Sequence, residues 1–257
     1  MMKHNRTAIV TGGLSGMGLA IARRLSKEGT NVVIGARSAS DQAHVREVLG
    51  EKNEGLAAAT LDVCSSESVN AFVADVVEAH GSVDILINAA GVYAEAAMID
   101  HPDQVWDDQI DTNLSGTFRM IRAVMPHMKR KAWGRIVNIA SVAAHNGMAN
   151  NAAYCASKAG LLGLGKCVSL EGAAFGITCV SISPTWVETE MLKRFIKADM
   201  AASGQSFEDV RAEYSKSNPQ NQLVQPTEVA ELAAFLVSDA ARALTMEDFQ
   251  VNAGSLW

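Results

Sequence analysis

Tyr154 and Lys158 stand four residues apart in the run Tyr154-Cys155-Ala156-Ser157-Lys158. On a helix that spacing places both side chains on one face. A free tyrosine has a pKa of about 10, too high to ionise usefully at neutral pH. A neighbouring ammonium favours the phenolate. The pair can therefore give and take a proton, which is general acid/base chemistry. The same spacing is common on helices that catalyse nothing, so the pair needs company. Ser141 follows the apolar run Gly134–Ala140, at the end of a strand where parallel sheets bind ligands. Its hydroxyl can hold a substrate oxygen against Tyr154. Asn113 is a poor mid-helix residue whose side chain suits water or a freed carbonyl.

A second constellation lies at the N-terminal end. Thr7-Ala8-Ile9-Val10 reads as a strand, Thr11 to Gly18 as a glycine-rich turn, and Leu19 to Leu25 as the start of a helix. A turn between strand and helix aims backbone N–H groups and the positive helix end at an anion. Gly12, Gly16 and Gly18 let the backbone approach a pyrophosphate, with Leu14, Ser15 and Met17 between them. No Gly-Lys-Ser/Thr follows, so the turn is not a nucleoside-triphosphate loop. The next strand ends at Ala36-Arg37-Ser38. An acidic residue there would repel a ribose 2′-phosphate, whereas the planar fork of Arg37 suits one. The expected cofactor is NADP(H), with NAD(H) as the alternative.

These residues need a scaffold. Strands are expected at Thr7–Val10, Asn31–Gly35, Leu56–Leu61, Val83–Asn88, Arg135–Ala140, Thr178–Ser183 and Phe249–Asn252. Amphipathic stretches alternate with them at Gly18–Glu28, Gln42–Leu49, Ser66–His80, Asp111–Lys131, Ala152–Phe175 and Thr227–Ser238. Near-continuous apolar runs such as Val83 to Ile87 are those of strands buried on both faces. The alternation predicts an α/β chain: a three-layer α/β/α Rossmann fold with a doubly wound, about seven-stranded parallel sheet. Residues 1–257 are expected to form one domain. The polar, weakly helical stretch at about 185–226 breaks the rhythm and is expected to be a substrate lid.

The chain has 257 residues, 48% of them hydrophobic and 19% charged, and a net charge of −6. That balance gives no broad basic surface for nucleic acid. No apolar run approaches the ~20 residues of a membrane helix. The polar start Met1–Arg6 leads straight into a strand, so no secretory signal is expected. Cys64, Cys155, Cys167 and Cys179 lack zinc-ligand spacing and read as reduced, packed thiols. A cytoplasmic location and no metal are the expectations.

In their order along the chain these residues resemble the short-chain dehydrogenase/reductase family. The likeness runs through Thr11–Gly18, Asp62-Val63, Asn88-Ala89-Ala90-Gly91, Asn113, Ser141, Tyr154 to Lys158, Pro184, Val187 and Thr189. It implies Tyr154 as general acid/base, Lys158 as the residue that tunes it and binds the nicotinamide ribose, Ser141 as the substrate-orienting hydroxyl, and Asn113 as holder of a relay water. It implies adenine contacts from Asp62 and Val63, a cofactor cleft lined by Asn88 to Gly91, and nicotinamide-side contacts from Pro184, Val187 and Thr189. It also implies a homo-oligomer, a tetramer above others, with Asp111–Lys131 and Ala152–Phe175 between subunits. Three places depart from the family pattern: Ala89, Thr185 where a glycine is usual, and Asn252-Ala253-Gly254. Thr185 cannot take positive φ cheaply.

The expected activity is hydride transfer between NADP(H) and a small carbonyl or secondary alcohol: a ketone, a sugar or polyol, or a hydroxy acid. Tyr93, Ala143, His145, Asn151 and Trp186 join Ser141 and Tyr154 as candidate pocket residues. The region from Trp186 onward is similar to that of 3-hydroxybutyrate dehydrogenases. Those enzymes grip a carboxylate with glutamine, histidine and lysine, where this chain has Tyr93, Ala143 and Asn151. Lys193, Arg194 and Lys197 make the lid locally basic. The alternatives are NADPH-dependent reduction of a 3-oxoacyl thioester, an NAD-dependent 3-hydroxyacid dehydrogenase, and a non-catalytic NADP(H) sensor.

Overall fold

In the computed structural model, which describes residues 6–50 and 55–255, the apolar runs become seven parallel strands. They are β1 (Thr7–Thr11), β2 (Asn31–Ala36), β3 (Leu56–Thr60), β4 (Ile85–Asn88), β5 (Gly134–Ile139), β6 (Ile177–Pro184) and β7 (Asp248–Val251), in the order β3-β2-β1-β4-β5-β6-β7. Alternate residues of one strand face opposite sides. Ala8 and Val10 of β1 enter one core, and Ile9 enters the other. On the first face lie α1 (Gly16–Lys27), α2 (Gln42–Leu49) and α9 (Pro226–Leu236), through residues such as Ile21, Val45 and Val229. On the second lie α3 (Ser66–His80), α5 (Gly116–Lys131) and α6 (Ala152–Gly172), through Phe72, Met120 and Val168. The three-layer, doubly wound architecture is as the sequence implies. Strand order reverses at β1, between β2 and β4, and such a switch point opens a crevice at the strands' carboxyl ends.

Two elements differ from expectation. The helix expected at Asp111–Lys131 is preceded by α4 (Asp103–Gln109), and a π-helical segment, Ile110–Ser115, joins α4 to α5. A π segment takes an extra residue into its turn and is frequent at functional sites. Here it buries Asn113, which is 1% exposed. The weakly helical 185–226 segment holds two helices, α7 (Glu190–Ser203) and α8 (Phe207–Lys216). They share a small apolar core of Leu192, Ile196, Val210 and Leu223. Outgoing and returning chains are tied at the segment's base, where Glu188 N–H donates to the Val224 carbonyl (2.9 Å) and Val224 N–H to that of Trp186 (3.0 Å).

Thr185 escapes the strain its position suggests. It is not among the positive-φ residues. Its N–H donates to Val251 (3.1 Å), and its hydroxyl pairs with the buried amide of Asn218 (3.1 Å). Ala253 does take a left-handed φ of 47°. The cysteines are free thiols; Cys179 is buried and its pKa pushed up to about 12, but Cys167 is exposed and so is not packed as expected. Among the described residues no helix is long and apolar enough to cross a membrane, and no cluster of His, Cys, Asp and Glu is placed to hold a metal.

Candidate active site

Tyr154 and Lys158 lie in the first turns of α6, and Ser141 begins the tight turn after β5. Tyr154 is partly buried and lines a cavity together with Ser141. Lys158 is 5% exposed, and its Nζ donates to the Ile139 carbonyl at 2.8 Å while lying 5.7 Å from the centre of the Tyr154 ring. Burial raises the Tyr154 pKa, and the neighbouring Ser141 hydroxyl only partly draws it back. The lowering expected from Lys158 therefore does not dominate: desolvation does, and the ammonium is anchored on a backbone carbonyl. Burial thus favours the neutral phenol over the phenolate.

Burial also lowers Lys158 from 10.5 to about 8. This carries a signed consequence. Between those two values the unfolded chain binds a proton at this site that the folded chain has lost, so stability rises with pH across the window. Below about 8 both states are protonated and the penalty is constant. In chemical denaturation of the free protein, the stability of wild type relative to Lys158→Met should climb from pH 8 towards 10.5. A difference that stays flat would remove the buried-ammonium assignment.

Asn113 is joined to the same centre. Its Oδ1 accepts from Val92 N–H (2.8 Å), while its Nδ2 donates to the Val92 carbonyl (3.0 Å) and to Ser157 Oγ (3.1 Å). It thus clamps the chain leaving β4 to α6, one residue away from Lys158.

A second cleft opens beside the glycine turn. It is lined by Gly12, Leu14, Ser15, Arg37, Ser38, Asp62, Val63, Ala90 and Gly91, with Cys64 and Thr112 besides. Arg37 and Ser38 are exposed at its rim. Asp62 is fixed by accepting from Cys64 N–H at 3.0 Å. Gly12 and Gly16 take φ of 66° and 51°, and a Cβ on Gly18 would lie 2.6 Å from the Gly12 carbonyl oxygen. Ser15 precedes α1 without capping it. The first N–H groups of α1 thus have no side-chain acceptor from that position, unlike those of α2 and α3, which Asp41 and Ser65 cap. Uncapped N–H groups beside a glycine cradle suit a pyrophosphate, so the residues present fit a dinucleotide.

Several expected site residues sit elsewhere. Asn88 does not line the cleft: it is buried in the sheet, donating to Asn138 at 2.9 Å. The neighbouring backbone is held instead by Thr11, whose hydroxyl accepts from Ala89 and Ala90 (3.1 and 3.0 Å). Met17 faces the Tyr154 cavity, as do Pro184, Val187 and Thr189. His145 points away and pairs with Asp248 at 2.7 Å. Asn151 is buried at the start of α6, where its Nδ2 donates to the Ala149 carbonyl (2.7 Å), outside the cavity lining. Lys193 is exposed and paired with Glu190 (2.6 Å).

Tyr93, Ala143 and Trp186 do line the cavity, with Met148, Thr185, Met191, Leu192 and Phe195. The space is about 730 Å³, open mouth included, and no lysine, arginine or histidine lines it. Aromatic rings form an edge-to-face series: Tyr154 to Tyr93 at 4.9 Å, Tyr93 to Phe195 at 4.7 Å, Phe195 to Trp186 at 6.1 Å and Trp186 to Tyr214 at 4.8 Å. Met191, Leu192 and Phe195 were missed because 185–226 reads only as weak helix, with no sign of which face turns inward.

Comparison with known proteins gives the family and agrees with the fold. The model of the family described as short chain dehydrogenase matches residues 6–199. A protein named as a ketoacyl reductase of the monensin polyketide synthase in Streptomyces virginiae is 39% identical over 254 residues, 97% of each chain. A D-beta-hydroxybutyrate dehydrogenase of Rhizobium meliloti is 38% identical over 257 residues, covering 97% of this chain and 98% of its own. Among solved structures, a variant of actinorhodin polyketide ketoreductase with NADPH superposes with a TM-score of 0.91 at 38% identity, over 97% of each chain.

Proposed function

Because the chain belongs to the short-chain dehydrogenase family, we propose that it is an NADPH-dependent ketone reductase whose substrate is apolar and carries a ring. The observation that carries the substrate class is the cavity wall: aromatic rings and the thioethers of Met17, Met148 and Met191 surround the Tyr154 and Ser141 hydroxyls, with no cation among them. An apolar wall with a few convergent polar groups is the usual form of a small-molecule site, and methionines adapt to irregular shapes. A small hydroxy acid would leave its carboxylate without a partner there, at a cost of several kcal/mol. The hydroxybutyrate reading is accordingly the weaker one, although a relative bears that name. A 3-oxoacyl thioester with an apolar acyl body fits the same wall, and the ketoacyl reductase relatives favour it as the second reading.

NADPH, when bound, supplies the hydride. Gly12, Leu14, Ser15 and the start of α1 hold its pyrophosphate, Asp62 and Val63 flank the adenine, and Arg37 and Ser38 bind the 2′-phosphate. Ser141 holds the carbonyl oxygen. Tyr154 gives that oxygen its proton, so that one hydride and one proton reduce the ketone to a secondary alcohol. Lys158 returns the proton to Tyr154 through a water that Asn113 holds in the relay. Residues 185–226 close over the substrate as a lid. A second copy of the chain covers α5 and α6, where Phe118 and Leu170 are exposed.

The test is oxidation of NADPH with a fused-ring ketone against acetoacetate. The fused-ring ketone should give the higher kcat/KM by at least about tenfold, since each extra apolar group contributes about 1–3 kcal/mol. Preference for acetoacetate would replace the apolar-ketone reading with the hydroxyacid one. In the same preparation NADP⁺ should raise the thermal midpoint more than NAD⁺, and Arg37→Ala should erase the difference.

A further inference from the structure

His145 stands four residues beyond Ser141, at the end of the turn that Ser141 opens. That turn is tightly made. Ala143 N–H donates to Ser141 Oγ (3.1 Å), Ala144 N–H to the Ser141 carbonyl (2.9 Å) and His145 N–H to that of Val142 (3.0 Å). One end is continuous with β5, where Ala140 N–H donates to the Ile182 carbonyl at 2.8 Å. The other end is held by the His145 side chain, whose Nε2 meets Asp248 Oδ2 at 2.7 Å across the sheet edge. The other oxygen of Asp248 accepts from the fully buried Ser183 Oγ at 2.7 Å. Ser183 directly precedes Pro184, which lines the Tyr154 cavity. One carboxylate thus ties three elements together: the Ser141 turn, β6 and β7.

We propose that His145 and Asp248 are positioning residues for Ser141. They hold its turn at the height from which the hydroxyl reaches both Tyr154 and a substrate oxygen. Neither touches substrate. An exposed polar pair is worth little, but this one has one oxygen locked by a buried hydroxyl, and its two side chains are 27% and 15% exposed. The value of such a tie is geometric: a supporting group left loose by about 1 Å degrades a site whose parts are all present. The proposal rests on Ser141 orienting the substrate as described above.

A double-mutant cycle separates positioning from general stability. The variants are H145A, S141A and H145A/S141A, assayed by NADPH oxidation with the fused-ring ketone, with unfolding followed in parallel. H145A should lower kcat by about tenfold, leave the thermal shift with NADP⁺ unchanged, and cost nothing further once Ser141 is gone. H145Q, whose amide can still donate to Asp248, should recover most of the rate. Should H145A fail to fold, D248N takes its place in the cycle. Equal losses from H145A with and without Ser141 would overturn the proposal and leave the function standing. Full activity in S141A would overturn both, and that outcome is read from a variant in which His145 is intact.

Discussion

Tyr154→Phe is expected to lose about 10²–10⁴-fold in kcat, the usual share of a general acid, while NADP⁺ still raises its thermal midpoint as it does in wild type. The substitution removes one oxygen and keeps the ring that packs edge-on against Tyr93 at 4.9 Å. It leaves the amine of Lys158 on the Ile139 carbonyl and leaves the glycine cradle untouched. Loss of rate therefore reports the proton and not the fold. The mechanism also sets the direction of the effect. With burial holding the phenol above its ordinary range, the proposed reaction would begin with the proton already on Tyr154, whereas phenylalanine would leave the developing alkoxide with only the Ser141 hydroxyl. Turnover within about tenfold of wild type would assign the proton to another group, and Ser141 would be the first to examine.

Those residues could be found in the sequence because each obeys a local rule. Tyr154 and Lys158 follow helical spacing, Ser141 ends an apolar strand, and the glycine turn sits between strand and helix. The sheet was legible for the same reason: β1, β4, β5 and β6 are buried on both faces, and continuous apolar runs require that. What could not be read depends on three-dimensional neighbours. His145 is two residues from Ala143, yet one faces the cavity and the other faces β7. A short 3-10 turn separates them and has no period to follow. Asn88 stands in a cleft motif, but its pleat turns the side chain to Asn138. The π segment around Asn113 has no signature beyond one polar residue in an apolar pattern. Thr185 looked strained only because glycine is usual there. Its partner Asn218 lies 33 residues on, and nothing local links them.

The glycine turn supports the other large effect. Gly12→Ala should lower stability by about 2–3 kcal/mol, a fall of roughly 4–10 °C in thermal midpoint, and should abolish stabilisation by NADP⁺. Two independent costs combine. The residue takes φ of 66°, which an L side chain adopts at about 1–2 kcal/mol. Its Cβ would also lie 2.9 Å from Ala90 Cα and 3.1 Å from the Ala89 carbonyl oxygen. Those are backbone atoms, and Thr11 already holds their segment through two hydrogen bonds. Relief requires moving Ala90 and Gly91, which line the adenosine-side cleft. Gly13→Ala is the informative contrast. Its Cβ would meet the Ile34 side chain at 3.0 Å, inside the core and away from the cleft lining. That variant should lose stability yet keep its response to NADP⁺. If Gly12→Ala also keeps the response, the pyrophosphate does not rest on this turn, and Arg37 would lose its place as the 2′-phosphate partner with it.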